Sequence, residues 1–164
     1  MAGCFITFEG TEGCGKSTHI KKLASRLKAE GRTVRTLREP GGTESGESIR
    51  HLLKHGPEEL TAEAELLLMN ASRAQLVREV IRPAIAAGEI VLCDRFYDST
   101  TVYQGTGRGL NAAQVQRVIE FAAGETRPDL TLLLKIPLKI SEERRARRAE
   151  TDRFEQADRA FFER

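Results

Sequence analysis

The segment Gly10-Thr11-Glu12-Gly13-Cys14-Gly15-Lys16-Ser17 constrains this chain more than any other. It meets the spacing G-x-x-x-x-G-K-[ST] at every required position. An apolar, strand-like run from Cys4 to Phe8 leads into it. A helix from Lys16 to about Lys28 leads out, with Ile20, Leu23, Ala24 and Leu27 on one face. The glycines let the backbone bend so that several N–H groups point inward around phosphate oxygens, and the helix start adds its partial positive charge. Lys16 is placed to reach the β- and γ-phosphates of a nucleoside triphosphate, and Ser17 to offer its hydroxyl to Mg²⁺. The motif specifies the ligand class and leaves the fate of the γ-phosphate open. Cys14 reads as a small filler whose thiol the helix start and Lys16 should make reactive.

Beyond the loop, strand and helix patterns alternate, which argues for an α/β domain with a mostly parallel sheet. Thr33 to Leu37 is β-branched enough for a second strand. Pro40-Gly41-Gly42 is a turn, and a short helix follows around Ser45 to Leu53. Thr61 can cap a long apolar helix beginning at Ala62, which Pro83 must kink or replace with a new short one. Ile90 to Cys93 is a near-continuous apolar strand of the kind buried on both faces. Asn111 and Gln114 make a capping box for a helix through Ala123. Leu130 to Ile136 is a further strand, and basic helices follow from about Ser141 to Ala149 and from Glu155 onward.

At 164 residues the chain fits one domain, residues 1–164, able to bury a core without disulfide or metal staples. Three cysteines with no C-x-x-C pair argue against a disulfide framework or a zinc site and for a reducing, cytoplasmic setting. The 26 basic and 24 acidic residues leave a net charge of only +2, too small an excess for coating nucleic acid. No apolar run reaches the ~20 residues that a membrane-spanning helix needs. The first residues lack the basic region of a signal peptide.

A second site sits at Asp94-Arg95, where the strand from Ile90 ends. An acidic residue there suits the Mg²⁺-side carboxylate, since ligands of open α/β sheets bind at such ends. Arg95 beside it suits a second phosphate group. A GTPase switch needs N-K-x-D, and neither Asn70 nor Asn111 is followed by Lys.

Several blocks together resemble the thymidylate kinases. They are Phe8 to Thr18, Arg38-Glu39-Pro40-Gly41-Gly42-Thr43, Leu66-Leu67-Leu68-Met69 with Arg73, Asp94-Arg95-Phe96-Tyr97-Asp98-Ser99, and Tyr103-Gln104-Gly105. The resemblance implies a three-layer P-loop nucleoside monophosphate kinase fold with parallel strand order 2-3-1-4. It implies the reaction dTMP + ATP → dTDP + ADP with Mg²⁺, and a homodimer using part of the Ala62 helix. Carried over by position, Gly10, Thr11, Glu12, Gly13, Cys14, Gly15, Lys16, Ser17 and Thr18 form the ATP site. Ser17 and Asp94 serve Mg²⁺. Arg38 and Arg95 hold the dTMP phosphate, Glu12 the sugar 3′-hydroxyl, and Arg73 a thymine carbonyl. Thr100 and Gln104 lie near the base, and Tyr103 crowds the 2′ position.

The basic segment around 141–155 resembles the family's lid. Members with glycine at the position of Gly13 draw their transition-state arginine from that lid, which makes Arg148 and Arg153 the candidates here. Where the family stacks a phenylalanine on thymine this chain has Met69, whose thioether covers a ring less rigidly. The family also continues past the lid with a helix, a fifth strand and the loop beside adenine. The expectation is therefore a shortened chain lacking its fifth strand. The alternatives are another small P-loop nucleotide kinase or an inactive ATP-binding fragment.

Overall fold

The computed structural model describes residues 2–56 and 60–146. Among these, four strands form one parallel sheet: β1 (Cys4–Glu9), β2 (Val34–Arg38), β3 (Ile90–Asp94) and β4 (Leu130–Leu133). Their order is β2-β3-β1-β4, the order expected. Side chains alternate between faces along each strand. Phe5, Val91 and Cys93 therefore meet Leu76, Val77 and Ile81 on one side of the sheet. Phe8, Ile90 and Leu92 meet Ile20 and Ala24 of α1 (Lys16–Ala29) on the other. β3 lies between β2 and β1, and its residues Ile90 to Cys93 are all buried, which is why that run carries no polar alternation.

The register decides where chemistry can occur. Phe8 and Arg38 both stand opposite Asp94, so the carboxyl ends of β1, β2 and β3 finish in one row. Glu9, Arg38 and Asp94 are the last residues of those strands. The phosphate loop leaves β1 at this edge.

Side-chain caps start the helices that flank the edge. Thr43 accepts from the Gly46 N–H at 3.0 Å to open α2 (Glu44–His55). Thr61 accepts from the Ala64 N–H to open α3 (Ala62–Leu76). Asn111 accepts from the Ala113 and Gln114 N–H groups to open α6 (Ala112–Ala123). After α3 the chain passes through a π-helical segment, Val77–Ile81, into α4 (Arg82–Ala86), whose first turn holds Pro83. Val77, Ile81 and Arg82 all keep right-handed helical angles, so the chain passes Pro83 as a continuing helix whose hydrogen-bond pattern changes rather than restarting there.

Two boundaries differ from the sequence pattern. β4 stops at Leu133 and α7 (Leu138–Ala146) begins three residues earlier than Ser141. The cause is Pro137, whose carbonyl accepts from Ile140 and Ser141 and so starts the helix there. A further helical stretch, α5 (Tyr97–Thr100) with the π-helical Thr101–Gly107, follows β3. Its β-branched residues and glycines favour helix poorly, so tertiary contacts hold it. The rest of the lid beyond Ala146, and the helix expected from Glu155, lie outside the described residues.

Candidate active site

The row of strand ends opens into a cavity of about 710 Å³, within the usual size for a small-molecule site. The phosphate loop forms one wall. Gly10 adopts φ 135°, and a Cβ there would lie 2.4 Å from the Leu134 carbonyl oxygen, so only glycine fits between β1 and the chain leaving β4. Lys16 is buried at the start of α1, where its Nζ donates to Gly10 O at 3.0 Å and Thr11 O at 3.1 Å. Burial, and then the neighbouring Arg95, lower the Lys16 pKa. Ser17 Oγ donates to Asp94 Oδ2 at 2.9 Å. These two hard oxygen donors fit Mg²⁺, which keeps several waters and takes few protein ligands beside substrate phosphates. No cluster of three or more His, Cys, Asp or Glu among the described residues could hold a metal unaided. Cys14 is buried, with its Sγ 3.8 Å from Lys16 Nζ. The thiol therefore faces inward rather than lying open to reagents.

The opposite wall is cationic. Arg95 follows β3 with φ 71°, the one non-glycine positive φ among the described residues. Its Nη2 donates to Glu12 Oε1 at 2.5 Å and its Nη1 to Ser99 Oγ at 2.8 Å. Tyr103 OH donates to Glu12 Oε2 at 2.7 Å. Burial would raise the Glu12 pKa, but Arg95, the Tyr103 hydroxyl and Lys16 together hold it below the usual carboxylate range. Burial pushes the Tyr103 phenol up. Behind them Glu9 accepts from the Phe96 N–H at 2.8 Å and from Ser99 Oγ at 2.5 Å, which fixes the turn that aims Arg95.

The third wall is a buried guanidinium. Arg73 on α3 donates from Nε to Glu39 Oε2 at 2.9 Å, from Nη1 to Asn70 Oδ1 at 2.7 Å and from Nη2 to Thr100 Oγ1 at 2.9 Å. Its Cζ lies over the Phe96 ring, 5.4 Å from the ring centre. Burial pushes Glu39 up to about 7 against the pull of Arg73, and Glu39 Oε1 is buried without a hydrogen-bond partner among the described residues.

A triphosphate loop facing fixed arginines across one cavity is a kinase-like arrangement for two anionic substrates. Comparison with known proteins agrees. The sequence profile of the family described as thymidylate kinase matches residues 8–164. The chain belongs to the thymidylate kinase family. It is 53% identical over 164 residues to a thymidylate kinase of Pseudomonas savastanoi pv. phaseolicola (strain 1448A / Race 6), covering 99% of this chain and 78% of that protein. It is 51% identical over 165 residues to one from Alcanivorax borkumensis, covering 100% and 79%. The crystal structure of a thymidylate kinase from Ehrlichia chaffeensis superposes with a TM-score of 0.79 at 35% identity, over 88% of this chain and 82% of that one.

Most residues singled out by the thymidylate kinase resemblance line the cavity. Glu12, Gly13, Gly15, Lys16, Ser17 and Thr18 do so from the loop side. Arg38, Met69, Arg73, Asp94, Arg95, Thr100, Tyr103 and Gln104 do so from the other walls. Gly10, Thr11 and Cys14 shape the loop from behind. Arg38 is turned toward α2, where its Nη2 donates to Glu47 Oε2 at 2.8 Å. Arg148 and Arg153 lie outside the described residues. Sequence reasoning missed Arg144, which lines the cavity and donates to Gly13 O at 2.7 Å, and Ser141, which donates to Glu12 O at 2.8 Å. Their signal was the basic helix itself, whose first turns carry Ser141 and Arg144 to the loop. It also missed the supporting carboxylates Glu9 and Glu39, each at a strand's carboxyl end.

Proposed function

We propose that this chain transfers the γ-phosphate of ATP to dTMP, giving dTDP and ADP. The observation that carries this reading is that Lys16, Arg95 and Arg73 line one shared cavity. Membership of the thymidylate kinase family supports the acceptor.

Each wall then has a task. The loop amides and Lys16 bind the β- and γ-phosphates, Lys16 leaving the Gly10 and Thr11 carbonyls to do so. Ser17 and Asp94 would hold Mg²⁺, which would supply positive charge to offset the negative charge of the phosphates. Arg95, with Arg38 swung from Glu47, holds the dTMP phosphate in line. Glu12 accepts the sugar 3′-hydroxyl, and Tyr103 fills the space a 2′-hydroxyl would need. Arg73 has a second Nη1 hydrogen beyond the one given to Asn70, which suits a thymine carbonyl. Met69 covers the base, and Thr100 and Gln104 border it. A phosphate nucleophile is already ionised, so positioning and cations do the work and no strong base is needed. Arg148 and Arg153 remain the proposed lid arginines, within a lid of about 141–155 in a single 1–164 domain.

We further propose a homodimer in the cytoplasm. Leu67 on α3 and Phe121 on α6 are 58% and 85% exposed, apolar side chains that a second copy would cover. Cys4, Cys14 and Cys93 are free thiols, and no helix among the described residues is long and apolar enough to cross a membrane.

The test is ADP release from MgATP with dTMP, dUMP, AMP, GMP and CMP offered separately. Turnover with dTMP well above the others is expected. Turnover led by a different nucleotide overturns the acceptor assignment.

A further inference from the structure

One buried carboxylate beside the cavity has no part in the phosphate chemistry. Glu65 on α3 is 1% exposed. Burying a carboxylate is costly unless its oxygens are well paired. Its Oε1 accepts from Gln104 Nε2 at 2.8 Å and from Arg108 Nε at 3.2 Å, and its Oε2 accepts from Arg108 Nη2 at 3.2 Å. Gln104 is itself buried and lines the cavity.

A carboxamide has a donor end and an acceptor end of nearly equal size, and only its surroundings decide which end faces which way. A carboxylate accepts and never donates. Glu65 therefore takes the nitrogen end of Gln104, and the oxygen end is left for the cavity. A carbonyl oxygen there accepts a hydrogen bond from a base that carries N–H at ring position 3, as thymine and uracil do. It repels the bare ring nitrogen that cytosine presents at the same place. Arg73 supplies donors on the same wall, so the pair offers donor and acceptor to the 4-carbonyl and N3–H edge.

We propose that Glu65 is a positioning residue for base selection. By fixing the Gln104 carboxamide oxygen toward the base, it sets the preference for an N3–H pyrimidine over cytosine. The proposal rests on the reading of this cavity as the dTMP site. Arg108 supports it by pinning Glu65 from the other side with a two-nitrogen fork, which holds the carboxylate plane in place.

The experiment compares wild type, Glu65→Gln and Glu65→Asp on dTMP and dCMP, with kcat and KM resolved for each nucleotide and for ATP. Glutamine at 65 can present either end to Gln104, so the carboxamide is free to turn. The dTMP:dCMP ratio of kcat/KM should fall by about tenfold, mainly through a raised KM for dTMP, with KM for ATP within about twofold of wild type. Glu65→Asp keeps an anionic acceptor and should keep most of the ratio. A loss shared equally by both nucleotides, or a ratio lost as fully in Glu65→Asp, overturns the proposal. If Glu65→Gln does not fold by circular dichroism, Arg108→Met decides. A ratio lowered about threefold supports the proposal, and an unchanged ratio overturns it. Wild-type enzyme that does not turn over dTMP would overturn the substrate reading, and this proposal with it. A normal wild-type preference that survives in Glu65→Gln overturns this proposal alone.

Discussion

Arg95 Nη2 donates to Glu12 Oε1 at 2.5 Å, so a residue at the end of β3 is tied directly to the phosphate loop 83 positions earlier. The pair faces the cavity on both sides. Before substrate arrives, Glu12 neutralises the arginine and keeps it aimed. On the proposed reading, an acceptor phosphate would compete for the same guanidinium and leave Glu12 to a sugar hydroxyl.

On that reading Arg95→Ala should lose a cation for the acceptor phosphate and leave Glu12 with the Tyr103 hydroxyl and the more distant charge of Lys16. Truncating one partner of a buried charge pair costs about 2–5 kcal/mol. On that scale kcat/KM for dTMP should fall on the order of 10²–10³-fold. Steady-state kinetics with dTMP varied at saturating ATP measures it. An unchanged kcat/KM would remove Arg95 from the phosphate site.

Gly10→Ala tests the loop geometry without touching a charge. The added Cβ would stand 2.4 Å from the Leu134 carbonyl oxygen and 2.9 Å from Cys14 Sγ, on a backbone at φ 135°. Backbone oxygen cannot swing aside as a flexible side chain can. The strain should cost roughly 1–3 kcal/mol, seen as a lower Tm in thermal denaturation. Wild-type Tm in Gly10→Ala would mean that the loop does not press against the chain leaving β4.

These two sites also mark how far the sequence could be read. The phosphate loop was legible because its ligands, its glycines and its helix are all local in the chain. β3 was legible because burial on both faces leaves an unbroken apolar run. Glu39 and Glu65 were not, since a carboxylate in a helix or at a strand end reads as solvated until its partner is known. Their partners, Arg73 and Gln104, lie 34 and 39 residues away. The Thr101–Gly107 π segment escaped for a different reason. It places Tyr103 and Gln104 side by side on the cavity wall, which a period of 3.6 does not anticipate.

Glu39 gives a prediction in pH. Burial raises its pKa from 4.5 to about 7, against the attraction of Arg73. Between those values the folded protein holds a proton that the unfolded chain has released. Its stabilising contribution is therefore complete below about 4.5 and is lost as pH rises through about 7. Glu39→Gln removes this group and leaves Glu9, whose pKa burial also raises, to titrate in both proteins. Wild type should lose stability relative to Glu39→Gln across that window by an amount on the order of 3 kcal/mol. Urea denaturation at half-unit pH steps measures the two curves. Parallel curves would rule out Glu39 as the titrating group.

Met69 offers a gain rather than a loss. It lines the cavity from α3, one helical turn before Arg73, at the position where the family resemblance calls for an aromatic ring. A thioether contact with a ring is favourable but has three rotatable bonds to restrain. A phenyl ring presents a flat face at less conformational cost, worth roughly 0.5–1.5 kcal/mol where it stacks. Met69→Phe should therefore lower KM for dTMP by about threefold to tenfold, with kcat near wild type, because ground state and transition state share the stacking. KM for ATP should not move. Isothermal titration with dTMP in the absence of ATP isolates the same effect from chemistry. A KM for dTMP that rises in Met69→Phe, with the fold intact by circular dichroism, would mean that the methionine packs against protein rather than covering the base.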